Sequence, residues 1–281
     1  MLIALCNEVL AEMPLERQCE FAAATGYDGL ELAPFTLGGT AQALESLDSA
    51  RIRAFVESHG LVVTSLHWLL VAPEGLSVTD PDPAVRKRTL TVISRLTSLC
   101  AELGGRVLVH GSPRQRQIAG GESRETAMGR LREGIAHAAE CAARDGVVYC
   151  IEPLPRCETE LINTVSEAAE LVRDIGLSSL RTMIDCRAAA LTESQAVADL
   201  IRQWVPTGLI AHIQVNDRNS LGPGQGQDRF APILRALKDS GYRGALAVEP
   251  FKYVPDGPAC AARSIGYLRG LLECIDSASS S

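Results

Sequence analysis

Two glutamates that end apolar runs are the first chemical feature of this 281-residue chain. Glu152 ends the run VVYCIE and Glu249 ends the run ALAVE, and each is followed by a proline. Proline disfavours the helical conformation of the residue before it, so each glutamate is held extended and its carboxylate has a defined direction. A pair of positioned carboxylates can remove a proton from a substrate and return it.

Other ionisable residues occupy similar places along the chain. Three of them end a run (His67, His110 and Asp185) and two lie within one (Glu31 and His212). In a parallel barrel, residues at the carboxyl ends of the strands reach the rim on which active sites are built. We therefore expect these side chains to converge.

The last four runs supply a set of metal-ligand types. In chain order they are Glu152, Asp185, His212 and Glu249. Four inward ionisable groups without a counter-charge would repel one another and lose hydration, and a divalent cation removes this conflict. Three carboxylates and one imidazole suit Mn²⁺, Co²⁺ or Mg²⁺ better than a structural zinc. Gln214 lies two residues after His212, on the same strand face, and is expected to contact the substrate or support a ligand.

Some of these residues, taken singly, have a simpler interpretation. A lone charge after a strand, such as Glu31, is expected to be a solvated loop residue. A lone histidine such as His67 or His110 is more often a hydrogen-bonded structural residue than a ligand.

Eight β-rich runs must position these side chains. They span residues 2–6, 29–32, 62–67, 106–110, 147–152, 181–185, 209–215 and 245–249. Helical patterns separate them, which is typical of a (β/α)₈ TIM barrel of a single domain. An open doubly wound sheet is the competing fold, but it predicts a glycine-rich phosphate turn after the first strand, and LCNEVLAEM contains no glycine.

Helix boundaries are marked by residue type. The pattern over 43–60 ends on Gly60, and the pattern over 82–104 has Pro83 near its start and Gly104 at its end. Thr164 and Thr192 have the capping-box spacing, followed three residues later by Glu and Gln. One domain over 1–281 is predicted, with residues 277–281 as a frayed polar tail.

Composition excludes several classes of protein. The formal net charge is −7 and the basic residues are dispersed, the opposite of what a nucleic-acid partner needs. Nine cysteines without a Cys-x-x-Cys pair predict reduced thiols. No segment has the roughly 18 apolar residues that span a bilayer, and the amino terminus has no basic leader. We therefore expect a cytoplasmic protein without a membrane or nucleic-acid partner, whose oligomeric state stays open and includes a homo-oligomer.

The chain resembles the xylose isomerase-like TIM-barrel superfamily, in its sugar isomerase/epimerase branch with the ketose 3-epimerases and hydroxypyruvate isomerase. The likeness runs from GYDGLEL through IEPLPRCETELINT and HIQVNDRNSLGPGQG to AVEPF. The resemblance implies one divalent metal ion, Mn²⁺ first, with Co²⁺, Mg²⁺ or Zn²⁺ as alternatives. It implies that Glu152, Asp185, His212 and Glu249 hold this ion and that the two glutamates are the acid/base pair of a sugar isomerase or epimerase acting through an enediolate.

The same resemblance implies that four further residues contact hydroxyl groups of a sugar or sugar-acid substrate: His67, His110, Glu158 and Arg218. One position departs from the pattern, because the ketose epimerases carry a histidine three residues after the aspartate ligand and this chain has Ala188. Arg187 stands beside it. If Arg187 turns inward it suits a carboxylate or phosphate, and if it turns outward it is an ordinary surface arginine.

Other functions remain open at this level. Related barrels use the same set of ligands to dehydrate keto-cyclitols or dehydroshikimate, and a non-catalytic sugar-binding barrel would keep the fold alone. An endonuclease IV-like repair enzyme is disfavoured, since Ala188 replaces the histidine of its Asp-x-x-His motif and no second histidine-rich pair follows His212. The mass of the product separates epimerisation from dehydration.

Overall fold

Eight parallel strands form one closed barrel in the computed structural model, which describes residues 1–278. The strands are β1 (Ile3–Cys6), β2 (Gly29–Leu32), β3 (Val62–Leu66), β4 (Val107–His110), β5 (Val148–Ile151), β6 (Leu180–Asp185), β7 (Ile210–Val215) and β8 (Leu246–Val248). Each strand pairs with its neighbours in chain order, and β8 pairs with β1. The predicted (β/α)₈ barrel is confirmed, and every predicted strand boundary lies within one residue of the observed one.

Helices follow the strands and surround the barrel. They are α1 (Leu15–Thr25), α2 (Pro34–Leu37), α3 (Ala41–Glu45), α4 (Ser49–Ser58), α5 (Pro83–Glu102), α6 (Arg124–Asp145), α7 (Val165–Ile175), α8 (Cys186–Thr192), α9 (Val197–Trp204), α10 (Phe230–Asp239) and α11 (Gly257–Ala278). Their buried apolar side chains form one core cluster with side chains from all eight strands, because a parallel sheet is covered by its crossover helices.

The helix signals in the sequence had different outcomes. Helix α5 begins at Pro83, with Asp82 Oδ1 accepting from the amide of Ala84 at 2.8 Å, and Thr164 caps α7 as predicted. The single helix predicted over 43–60 is wrong, since Asp48 caps a new helix, α4, inside that range. The capping box at Thr192 is also wrong. Thr192 is the last residue of α8, and α9 begins after Ala196.

Two bulges change the register of the barrel, one in the middle of β3 and one near the start of β7. Strand β3 carries an extra residue, Thr64, before Ser65 aligns with Glu31 of β2. Strand β7 carries an extra residue, Ala211, before His212 takes its place beside β6. Bulges re-aim the side chains that follow them and are common next to active sites.

The carboxyl-terminal residues continue the last helix further than expected. Residues 277 and 278 belong to α11, whereas 279–281 of the predicted frayed tail lie outside the described residues. Within 1–278, no helix has both the length and the apolar character that crossing a membrane requires. All nine cysteines are free.

Candidate active site

An inner cavity at the carboxyl end of the barrel is lined by the two glutamates that precede prolines. Glu152 follows β5 and Glu249 follows β8, and both are buried. Five further side chains of this lining could take part in binding or chemistry: His67, Trp68, Glu158, Gln214 and Phe251. Strands that are distant in the barrel therefore aim two carboxylates into one space.

Gly111, directly after β4, leaves room for one of these carboxylates. A Cβ at position 111 would overlap Oε2 of Glu152. Glycine therefore gives the Glu152 carboxylate its present space, and a larger residue would force the end of that side chain to move.

Burial and mutual repulsion raise the pKa of three carboxyl groups at this rim. The pKa of Glu152 lies well above its ordinary value because of burial and then because of the charges of Glu249 and Asp185. Burial raises the pKa of Glu249 to about 8, against the opposing effect of His67. Burial also raises the pKa of Asp185 to about 6, although hydrogen bonds from its neighbours lower it. Near neutral pH Glu152 and Glu249 are therefore protonated to a larger extent than solvated carboxylates.

Asp185 ends β6 and is fixed by two hydrogen bonds. Its Oδ1 accepts from the amide of Ala188 at 2.6 Å, and its Oδ2 accepts from Nδ2 of Asn216 at 2.7 Å. The first of these bonds makes Asp185 the cap of α8. The carboxylate is thereby held in one orientation at the end of its strand.

Arg116 is a buried cation beside the site that sequence reasoning did not find. Its Nη2 donates to the backbone oxygen of Glu152 at 2.6 Å, and its charge lowers the pKa of that glutamate against the effects that raise it. Nε and Nη1 have no hydrogen-bond partner among residues 1–278. The sequence does not indicate a role for a single arginine in the polar segment after β4, because only the fold brings this residue to the end of β5.

His67 is held between two carboxylates. Its Nδ1 lies 3.0 Å from Oε1 of Glu249 and its Nε2 lies 2.9 Å from Oε2 of Glu8. Both ring nitrogens are therefore occupied by protein groups. Burial opposes protonation of this imidazole, but the charges of Glu8 and Glu31 hold its pKa well above the usual value.

The same region contains a group of side chains that could hold a metal ion. One ligand atom from each of Cys6, Glu8, His67 and Glu249 lies within 4.8 Å of the others. Of these four residues, only Glu249 belongs to the ligand set that the sequence predicts. Burial, followed by the charge of Glu31, raises the pKa of the Cys6 thiol well above its ordinary value, so the thiol stays protonated.

Glu31 is not the solvated loop residue expected from its sequence alone. It is fully buried in β2, where its carboxylate accepts hydrogen bonds from Ser65, from Cys6 at 3.3 Å and from Nε2 of Gln214 at 2.7 Å. Burial opposes ionisation, but His212 and His67 hold the pKa of Glu31 well below its usual value. The bulge at Thr64 explains the difference, because it aligns Ser65 with this carboxylate.

His212 is buried within β7, close to the carboxylate of Glu31. Its Nε2 lies 2.6 Å from Oε2 of Glu31, although the contact lacks the alignment of a hydrogen bond. Nε2 of His212 and Oε2 of Glu249 are both buried and have no hydrogen-bond partner within the described chain.

Two of the residues expected to contact substrate lie away from the inner cavity. His110 is buried, and its Nδ1 lies 2.8 Å from the hydroxyl of Tyr149; burial and then the charge of Arg116 lower its pKa to about 3. Arg218 has 58% of its side chain exposed, and its Nε lies 2.6 Å from Oδ1 of Asp228. The structure brings Glu158, Gln214 and His67 to the cavity and leaves these two outside its lining.

Arg187 turns toward the mouth of the cavity. Its Nη1 lies 2.9 Å from Oε1 of Glu158, and its Nε donates to Oγ of Ser220 at 3.1 Å. The guanidinium carbon lies 5.2 Å from the centroid of the Phe251 ring, and only 19% of the side chain is exposed. Of the two orientations that the sequence leaves open, the structure has the inward one.

Comparisons with known proteins agree with this barrel fold. The sequence profile described as "Xylose isomerase-like TIM barrel" matches residues 19–271. The chain is 31% identical over 232 residues to the D-psicose 3-epimerase of Enterocloster bolteae, covering 81% of this chain and 74% of that one. It is 28% identical to the D-psicose 3-epimerase of Agrobacterium fabrum, covering 83% and 78%. The solved structure of an L-ribulose 3-epimerase matches with a TM-score of 0.84 at 21% identity, covering 100% of this chain and 97% of that one.

Proposed function

Because this chain belongs to the xylose isomerase-like TIM-barrel family, we propose that it epimerises a keto sugar at the carbon beside the carbonyl group, through an enediolate. It is an enzyme of the sugar isomerase/epimerase class. The relatives named D-psicose 3-epimerase support a neutral ketose as the substrate class. Reduced thiols support the cytoplasm as its compartment, since all nine cysteines are free.

The observation that carries the proposal is the pair of buried carboxyl groups that two non-neighbouring strands, β5 and β8, bring to one cavity. Epimerisation requires a proton to leave one face of a carbon and another to arrive on the opposite face. Glu152 and Glu249 reach the cavity from β5 and β8, and whichever of the two is ionised can accept a proton while the other, still protonated, donates. Their elevated pKa values bring both groups closer to the pH at which they work.

Four residues would hold a divalent ion beside this pair: Glu152, Asp185, His212 and Glu249. Oε2 of Glu249 and Nε2 of His212 support the fit, since both are buried and without a hydrogen-bond partner in residues 1–278. The acids also raise one another's pKa, a repulsion that a cation would remove. When bound, such an ion polarises the substrate carbonyl and stabilises the negative charge of the enediolate.

The group of Cys6, Glu8, His67 and Glu249 fits a metal less well. His67 already contacts both carboxylates through its two nitrogens, and the thiol of Cys6 stays protonated. We therefore assign His67 to positioning Glu249. Mn²⁺ is the proposed ion, with Co²⁺, Mg²⁺ or Zn²⁺ as alternatives, because the ligands are mostly oxygen.

Glu158 and Gln214 are the proposed contacts to substrate hydroxyls, because both line the inner cavity. Gln214 already donates to Glu31 through Nε2, which leaves its oxygen to accept from a hydroxyl. Glu158 accepts from Arg187 through Oε1, so its orientation in the mouth is set before substrate binds.

The experiment is turnover of D-psicose, D-fructose and L-ribulose by the Mn²⁺-loaded protein in deuterated water. We expect a product of unchanged mass apart from one solvent deuterium at the carbon beside the carbonyl. A product lighter than the substrate by one water molecule would show that the reaction is a dehydration and not an epimerisation. Turnover without deuterium at that carbon would exclude the proton-transfer mechanism, and binding without turnover by the metal-loaded protein would indicate a sugar-binding barrel.

A further inference from the structure

A second cavity adjoins the inner one on the side of β1, β2 and β3. This outer cavity has a volume of about 290 Å³, and the side chains that matter for its chemistry are Glu8, Phe35, Trp68, Phe251 and Tyr253. Trp68 and Phe251 line both cavities. A molecule bound at Glu152 and Glu249 can therefore extend across the edge of these two rings into the outer cavity.

Aromatic side chains are concentrated here. The chain has only two Trp, five Tyr and five Phe, and four of these twelve line the outer cavity. Trp68 and Phe251 meet edge to face, with ring centroids 6.3 Å apart. Aromatic faces offer large apolar contacts, which the C–H faces of a pyranose ring can cover. A free ketohexose has only three carbons beyond the reacting carbon, whereas four aromatic side chains line the outer cavity.

The segment after β8 also exposes apolar surface. Phe251, Tyr253 and Val254 are 39%, 37% and 55% exposed. They are three of the six large apolar side chains that are exposed in the described part of the chain, and the other three are elsewhere. An apolar patch that continues an active site marks a surface that a ligand covers.

A carboxylate supplies a polar contact at the floor of this aromatic cavity. Glu8 binds His67 through Oε2, whereas its Oε1 is buried and has no hydrogen-bond partner in the part of the chain that the structure describes. A hydroxyl donor from a ligand would satisfy it. None of the side chains that line the outer cavity is basic, which disfavours a phosphate or a carboxylate.

The backbone beneath the aromatic surface is strained. Trp68 has φ of 51°, in the left-handed region that bulky residues rarely adopt. Such conformations persist where the surrounding structure holds them, and they cluster at ligand sites. The strain places the indole between the two cavities.

From this geometry we propose that the outer cavity is a second sugar subsite, which binds a neutral glycosyl ring attached to the keto sugar. The preferred substrate is then a two-ring keto sugar whose second ring lies on Trp68, Phe251 and Tyr253 and donates a hydroxyl hydrogen to Glu8. The inference rests on the proposed function for the chemistry of the first ring. The second ring itself needs only the outer cavity.

The test compares binding of isomaltulose, a glucosylated fructose, with binding of D-fructose. The chain has two tryptophans, so a Trp204→Phe variant leaves Trp68 as the only indole reporter. We expect isomaltulose to bind at least about tenfold more tightly, and a Phe35→Ala/Tyr253→Ala variant to remove this gain while D-fructose changes by less than about twofold. Val62→Ala, an exposed apolar residue at the amino end of β3, is the matched control. Calorimetry on the chain with both tryptophans gives the same comparison if Trp204→Phe does not fold.

Equal affinity for the two sugars, or an equal loss for both in the double variant, overturns the second subsite. A double variant that changes the molecular mass in solution without changing sugar binding also overturns it, since the patch would then be covered by a second copy of the chain. Turnover of D-fructose without any gain from the second ring leaves the proposed function intact and rejects the subsite. The reverse result, preferential binding of isomaltulose without turnover of either sugar, supports the subsite and rejects the proposed function.

Discussion

Acidic side chains on two sides of the barrel rim are equally buried but are stabilised in opposite ways. Beside β2 and β3, Glu31 accepts hydrogen bonds from Ser65 and Gln214, and the neighbouring His212 and His67 keep its pKa low. At the ends of β5 and β8, Glu152 and Glu249 repel each other, and their pKa values are high. The charge of Glu31 is compensated within the protein, whereas Arg116 and His67 compensate Glu152 and Glu249 too little to offset their burial and repulsion.

This contrast separates two uses of buried charge. A carboxylate that is paired and hydrogen-bonded supports the fold, and removing it leaves other groups unsatisfied. A carboxylate that is buried without compensation destabilises the fold until a proton or a cation arrives. The second kind is what acid/base chemistry and metal binding both need, so the imbalance locates the active site.

The largest expected effect is on catalysis. Replacement Glu249→Gln removes one member of the acid/base pair, and we expect kcat to fall by about 10²- to 10⁴-fold on the keto sugar that the unaltered protein turns over fastest. Glu57→Gln, at an exposed glutamate of α4, is the matched control and should retain full activity. A Glu249→Gln protein as active as the control would show that the acids at β5 and β8 have no part in the reaction.

The next effect is on stability, on the opposite side of the rim. Replacement Glu31→Gln leaves His212 without its carboxylate partner and removes one of the negative charges near His67, so we expect the free energy of unfolding in urea to fall by about 3–5 kcal/mol. Glu249→Gln, measured without metal, should not destabilise the protein and should raise its stability near pH 8. An equal loss of stability in both variants would show that Glu31 and Glu249 do not differ in how the protein stabilises their charges.

A pH dependence of the metal-free protein follows from the raised pKa values. Between pH 4.5 and 8 the folded state keeps a proton on Glu249 that the unfolded chain has released, so stability falls as pH rises through this range. We expect Tm to drop by several degrees from pH 5 to pH 8, since about 1 kcal/mol corresponds to roughly 2 °C in a domain of this size. Added Mn²⁺, or the Glu249→Gln replacement, should flatten the profile. A Tm that rises over this range would contradict the assignment.

The smallest expected effect is at the mouth. Arg187 holds Glu158 through an ion pair, so Arg187→Ala should raise KM about tenfold or less through loss of orientation, with a smaller change in kcat. Arg202→Ala, at an exposed ion pair with Asp199, is the control and should leave KM unchanged. An effect confined to kcat would place Arg187 in the chemistry instead.

The sequence predicted the barrel and the two glutamates because both depend on local patterns. Each apolar run predicts its own strand, and the proline after Glu152 or Glu249 restricts that glutamate directly. Parallel strands bring their carboxyl ends together, so neighbouring run ends could be expected to meet. Those residues of the candidate site that end an apolar run could therefore be predicted from the sequence.

What the sequence missed depends on contacts between distant segments. The burial of Glu31 follows from a bulge in the next strand, and the run VVTSLH carries no sign of an extra residue. Glu8 and Arg116 lie in short 3₁₀ segments after β1 and β4, where a single charge is ordinarily solvated. Their partners, His67 and Glu152, are 59 and 36 residues away.

The absence of a side chain at Gly111 has a practical consequence for work on this enzyme. Since even a methyl group there would push the Glu152 carboxylate from its present position, a single added carbon moves that acid without replacing any ionisable residue of the site. A Gly111→Ala protein would be a natural vehicle for trapping an unreacted substrate in a crystal, and randomised libraries aimed at new sugars should keep this codon constant.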